Sequence, residues 1–292
     1  NEKIACILLV YCFFLPAQTS ANTVRVIQPE GFSNTPIMLL LSINKQTLEL
    51  RVEDCPDLLS PTTKGLKRKW IEIILICNAL RYYGFATKIR FIIAGNNLRQ
   101  VVELAKNRGD IVGHTFFVNS MKVNPYKDVI QVLKTDPLLL ANQSPLGFFT
   151  SKSQYKAVAD RLQKGSFGEL VGITHSAYNI SAQVMGQLGI EQIRRVPRHD
   201  MIARNIYHKR AHFTLGSLHK KHLGGTLPLY RVKGFKTQSN EARVFYINEK
   251  RADLQQLLNR YIAMLRSLDN QLIRLLLHAN IIPKRPLNFK EF

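Results

Sequence analysis

The sequence predicts an α/β protein of two lobes, and three observations predict it. Short apolar, β-branched runs alternate with helical stretches along most of the chain. The pattern runs once to about residue 140 and then repeats. The intervening stretches have the length of crossover helices, which make neighbouring strands parallel. With 292 residues, 46% of them hydrophobic and 21% charged, the chain has the composition of a globular protein large enough for two cores.

Residues 1–21 read as a cleavable export signal. Lys3 starts it, residues 4–15 are apolar, and Pro16 breaks the run. That run is too short to span a bilayer, and Thr19, Ser20 and Ala21 supply a small-residue cleavage site after Ala21. Cys12 is no lipoprotein site, because Tyr11 precedes it and the apolar run continues past it. The mature protein is expected to be periplasmic.

Lobe 1 is expected over residues 22–140, lobe 2 over 141–239, and a return to lobe 1 over 240–292. In lobe 1, residues 24–27 read as a first strand and 37–52 as a hairpin across Asn44 and Lys45. Residues 65–83 read as a helix, with Trp70, Ile73, Ile74, Cys77 and Leu80 recurring at three and four. A strand at 87–93, a helix at 97–107 and a strand at 110–118 follow. In lobe 2 the strands are 146–150, 171–174, 193–196 and 211–215; the helices are 155–162, 176–188 and 200–209. A strand at 243–247 and a stretch at 254–279 that is helical over most of its length follow. Of the four cysteines, Cys55 and Cys77 lie outside the signal. Export permits a disulfide between them, and the apolar run around Cys77 equally suits a buried thiol.

The 41 Lys and Arg outnumber the 20 Asp and Glu, a formal charge of +21. Such a charge suits an anionic envelope surface or an anionic ligand. Nucleic acid is not expected, because no zinc-finger spacing, RNP-like motif or zipper is present. Nor is there a Gly-x-Ser-x-Gly elbow, a P-loop or a His-Glu-x-x-His motif, so neither catalysis nor a cofactor is expected. Five histidines fall between His199 and His222, but His208 and His212 straddle a helix end and a strand and share no helical face. No metal is expected.

In open α/β sheets, ligands sit beyond the carboxyl ends of strands. The strand-to-helix junction Thr174-His175-Ser176-Ala177-Tyr178 is therefore the leading ligand site. Thr174 offers a hydroxyl, Ser176 a helix cap, and the amides of Ser176, Ala177 and Tyr178 a partial positive charge. Glu30 occupies the same kind of edge after the first strand. Asn119 and Ser120 do so after the 110–118 strand.

The order of these elements, with Arg108-Gly109-Asp110-Ile111, Thr135-Asp136-Pro137-Leu138, Val171-Gly172-Ile173-Thr174-His175-Ser176 and Lys209-Arg210-Ala211-His212-Phe213, resembles the type II periplasmic binding proteins. Within them it is similar to the family 3 extracellular solute-binding proteins. The resemblance covers most of residues 22–280. It implies a periplasmic-binding-protein-like fold and a small-molecule ligand, with an ABC transporter permease or a membrane sensor as partner. It also implies a ligand-stacking aromatic at Phe32. The family grips an amino-acid carboxylate with an Arg; the corresponding stretch here has Lys127 as its nearest cation. The family holds the ammonium with an Asp; Ser217 stands there. Both partners of a zwitterion are altered, so the resemblance points to a small polar or anionic solute for uptake or sensing. Two alternatives stay open: a dehydratase- or lyase-like enzyme using Glu30 as acid or base, and an envelope interaction protein without a ligand.

Overall fold

The computed structural model describes residues 36–41, 49–63, 66–94, 97–119, 131–141, 143–176, 179–218, 220–268, 270–278, 281 and 290–291. The chain divides into two compact units. Unit 1 takes residues 1–115, 129–136 and 245–279; unit 2 takes 116–128, 137–244 and 280–292.

In chain order the elements are β1 (Ile37–Leu41), β2 (Glu49–Arg51), α1 (Arg68–Tyr82), β3 (Lys88–Ile93), α2 (Asn97–Ala105), β4 (Ile111–Val112), β5 (Phe116–Phe117), β6 (Val132–Lys134), β7 (Pro145–Thr150), α3 (Tyr155–Lys164), β8 (Val171–His175), α4 (Asn179–Gln187), β9 (Gln192–Val196), α5 (His199–Tyr207), β10 (Thr214–Ser217), β11 (His222–Leu223), β12 (Leu229–Arg231), β13 (Phe235–Gln238), β14 (Arg243–Val244), β15 (Tyr246–Asn248), α6 (Ala252–Ser267), α7 (Gln271–His278) and β16 (Lys290–Glu291). Among the described residues no helix is long and apolar enough to cross a membrane.

Unit 1 is built on a six-stranded sheet in the order β2-β3-β1-β4-β15-β6. β1 runs parallel to β3 and β4, and four of its five side chains are buried. A nearly continuous apolar strand is what the centre of a parallel sheet requires. Residues 37–52 therefore form no hairpin: β3 lies between β1 and β2, pairing antiparallel with the latter. β2 suits the sheet edge because Glu49 and Arg51 are exposed, with Glu49 bonding Arg90 of β3 at 2.6 Å. Residues 37–41 thus form an interior strand of this sheet. The expected first strand at 24–27 lies outside the described residues.

α1 buries every residue from Ile71 to Leu80. Glu72 is among them. It is bonded by Arg68 at 3.2 Å and by the amide and hydroxyl of Thr115 at 3.1 and 2.5 Å. The expected terminal helix is two, α6 and α7, separated near Asn270, whose φ of 54° no helix accommodates. The two-residue strands β4 and β5 replace one strand over 110–118, because the chain passes from unit 1 to unit 2 between Thr115 and Phe116. Likewise β14 pairs with β5 in unit 2, while β15 pairs with β4 and β6 in unit 1.

In unit 2, β7 is the hub, antiparallel to β10, β12 and β13. β8 and β9 form a parallel pair, and an isolated bridge sets Gly172 parallel to Phe213. Phe148, Phe213, Val184 and Met185 fill the core between α3, α4 and these strands. α5 covers the opposite side, burying Ala203 and Ile206 against Phe149, Ile173 and Val196.

Cys55 and Cys77 form a disulfide with their Cα atoms 6.2 Å apart, 22 residues apart in sequence. Both residues are buried, so the apolar setting of Cys77 and the crosslink coexist. Closing a loop of this length stabilises a chain by about 3 kcal/mol through the entropy of its unfolded state. The double variant Cys55→Ala, Cys77→Ala is expected to lose about that much in equilibrium denaturation. Equal denaturation midpoints with and without reductant in the wild-type protein would contradict this.

Candidate functional site

The site is built on the carboxyl ends of β8, β9 and β10. In β8, alternate residues Val171 and Ile173 pack toward α5, while Gly172 faces α4. A Cβ at Gly172 would stand 2.6 Å from the Met185 sulfur, so glycine is what brings α4 onto the strand. The β8–β9 ladder continues to the strand ends, pairing His175 with Val196, and the Ser176 amide donates to the Val196 carbonyl at 2.8 Å. Carried forward from the Gly172–Phe213 bridge, the register sets Ser217 level with Ser176.

His212 fastens the start of this arrangement. Its amide donates to the Val171 carbonyl at 2.8 Å, and its Nδ1 accepts from the Val171 amide at 2.8 Å. The Thr150 hydroxyl of β7 donates to the His212 carbonyl at 2.6 Å. The ring is therefore the neutral Nε2–H tautomer, a placement inferred from its partners. Partial burial, with Arg161 nearby, pushes its pKa below the ordinary value.

Beyond the strand ends the titratable side chains are mostly basic residue types. The rings of His175, at the end of β8, and His199, at the start of α5, stack with centroids 4.5 Å apart and planes 25° apart. Loss of hydration, then the proximity of His175 and Lys220, pushes the His199 pKa down. Lys220 follows β10 through a turn in which its amide donates to the Ser217 carbonyl at 3.1 Å. Asp200 is the one carboxylate in β8, β9, α5, β10 and β11. It is bridged to Arg198 at 3.0 Å and to Arg204 at 3.5 Å. The Arg198 guanidinium holds its carboxyl below the usual range. Glu169 and Glu191 precede β8 and β9, at the opposite, amino edge. Unit 2 carries 21 Lys and Arg against 7 Asp and Glu, a net of +14, so two thirds of the chain's excess charge lies in it.

Of the residues expected to contact a ligand, Ser176 and Ser217 are exposed at this edge, and Thr174 is buried beneath it. Ser176 extends the ladder, its amide bonded to the Val196 carbonyl. Its amide is thus engaged and does not contribute an open helix-start donor. Asn119 belongs to a different part of unit 2: its amide donates to the Glu241 carboxylate at 3.0 Å. Close by in the chain, the buried Arg243 lies over the Phe117 ring at 4.4 Å. Glu30, Phe32, Ser120, Lys127, Ala177 and Tyr178 lie outside the described residues. His199 and Lys220 were not legible as site residues. His175 and Ser176 are neighbours in sequence, but only strand register brings α5 and the turn after β10 to them.

No protein-family model matches the chain, and no curated protein matches it. Solved structures do. The class that they and the topology define is the type II periplasmic-binding-protein fold, and the chain has that fold. One match is a probable amino-acid ABC transporter extracellular-binding protein from Bacillus subtilis, at 17% identity over 70% of this chain and 85% of that one, TM-score 0.51. Another is an amino acid ABC transporter substrate-binding protein from Streptococcus pneumoniae, solved with L-arginine, at 10% identity over 86% and 95%, TM-score 0.51.

The role given to His212 has a pH signature. Its folded-state pKa lies below that of the unfolded chain, about 6.5. The stabilisation is therefore complete above that value and is lost as the pH falls toward the folded-state pKa. His212→Ala is expected to cost about 1–3 kcal/mol at neutral pH by leaving the Val171 amide unpaired, and to flatten the loss between about pH 7 and pH 5. An unchanged slope in thermal melts of the variant would contradict that role.

Proposed function

We propose that this chain is an exported solute-binding protein that captures a small polar or anionic molecule for ABC-type uptake or for sensing. The observation that carries the reading is the strand-end edge of unit 2, rich in basic residue types. His175, His199 and Lys220 stand there beside the exposed Ser176 and Ser217, on a fold shared with extracellular binding proteins. An edge with this balance attracts negative charge and offers hydroxyls for hydrogen bonding. Ser217, in place of an acid, leaves an amino-acid ammonium without its counter-charge at that position. The partner is a permease or a membrane sensor, and an anionic envelope surface suits the charge of +21. Residues 1–21 are removed on export, leaving the protein in the periplasm.

Thermal melts with amino acids, di- and tricarboxylates, phosphorylated solutes and neutral polar solutes test this. A ligand at a hundred times its Kd adds about 2.7 kcal/mol to the stability of the folded state. A rise in Tm is expected with anionic or neutral polar solutes and none with free α-amino acids. A tight amino-acid complex would overturn the ligand assignment; no shift with any class would overturn the solute-binding reading.

A further inference from the structure

Unit 2 gathers basic residues along β9 and α5. Residues 192–210 hold six Lys and Arg and one acid, Asp200. All six are exposed. Asp200 is shared by Arg198 and Arg204. Among the described residues, no ion pair takes up the side chain of Arg194, Lys209 or Arg210.

The fold sets most of these groups on one side of the sheet. β8 and β9 run parallel, with Arg194 beside Ile173. Ile173 packs on α5, with Ala203 and Ile206. Arg194 therefore shares the α5 side, whereas Arg195, one residue on, takes the other. Arg198 precedes α5, Arg204 is exposed along it, and Lys209 and Arg210 follow its end. A nine-residue helix is about 14 Å long, so the five basic side chains spread over a surface and do not converge on a pocket. None of the exposed large apolar side chains falls within 192–210.

We propose that the α5 side of unit 2 docks on an anionic phospholipid bilayer, its arginines pairing with headgroup phosphates. The proposal rests on the export of the chain in the reading above and names the surface that meets the envelope. A bilayer presents a broad layer of phosphodiester charge. It matches a broad layer of guanidiniums, whose planar forks hold phosphate through two parallel bonds. No exposed Phe, Tyr or Trp in this stretch is available to stack on the bases of a nucleic acid. Nor is there an exposed large apolar side chain to insert among acyl chains, so the docking is electrostatic, reversible and screened by salt.

Co-sedimentation of the intact chain with lipid vesicles tests this. Binding is expected to phosphatidylcholine vesicles carrying about 30% phosphatidylglycerol and not to phosphatidylcholine alone, and it should vanish near about 0.5 M salt. A basic residue near an anionic surface is worth roughly fivefold in binding, so Arg194→Gln together with Arg210→Gln should weaken it about 25-fold. Lys156→Gln together with Lys164→Gln removes the same charge from α3, on the other side of the sheet, and should weaken binding about twofold or less. The proposal is overturned if the wild type binds neither vesicle, if the two double variants weaken binding equally, or if soluble polyphosphate binds and the vesicles do not. The solute panel is read on the same proteins. A Tm rise without vesicle binding would remove the docking surface and leave the solute-binding reading; vesicle binding without any Tm rise would do the reverse.

Discussion

The Asp110 carboxylate is the point on which unit 1 depends. One oxygen accepts the Met38 amide of β1 at 2.7 Å, and the other accepts Arg251, just before α6, at 2.6 Å. The Asp110 carbonyl receives the Asn248 amide of β15 at 2.9 Å, and the Asn248 side chain reaches the carbonyls of Leu104 and Gly109. After Asp136 the chain leaves unit 1 for the second time and comes back only at Phe245, more than a hundred residues later, so its core closes only when the returning segment is fastened. A partly buried carboxylate shared by an amide and a guanidinium does this with strong, directional bonds. Loss of one partner would leave the other buried and uncompensated, the costly case for such groups.

Unit 2 uses its polar groups differently. Its strands are aligned by His212 and by the backbone ladder from β8 to β9, and the sheet then sorts charge by direction. Glu169 and Glu191 fall at the amino edge, where Arg161 bridges Glu169 at 3.3 Å. At the carboxyl edge, Asp200 stands with His175, Arg198, His199 and Lys220 and is neutralised by its arginines. The result is a strand-end rim that favours negative charge, on a fold whose strand ends are the natural place for a ligand.

Much of this was legible in the sequence, for physical reasons that differ by element. The helix found at Arg68–Tyr82 was readable as a long apolar stretch, but its burial goes all round, over every residue from Ile71 to Leu80, and does not follow the three-and-four face. The 146–150 and 171–174 strands were readable because apolar runs of that length bounded by polar residues have few other uses. The hairpin at 37–52 was misread because Asn44-Lys45 looks like a local turn, while the true partner of β1 arrives only at residue 88. Parallel pairing leaves no local trace. The terminal stretch was read as helical over most of its length, but the place of its break was not read because no glycine or proline marks it; Asn270 carries the left-handed conformation. At the site, Ser176 was singled out from the strand-to-helix junction, and Ser217 from the resemblance to the family's second-lobe strand. The histidine stack did not, since His175 and His199 are brought together by the register of β8 on β9.

The central proposal is that a small polar or anionic solute binds at the β8–β9–β10 edge of unit 2. Backbone amide NMR shifts during a titration with the best stabilising solute test it most directly. The account predicts that the largest changes cluster at His175 and Ser176, at Arg198 to Asp200 and at Ser217 to Lys220. Changes confined to the amino edge near Glu169 and Glu191, or to α1 and α6 of unit 1, would contradict it.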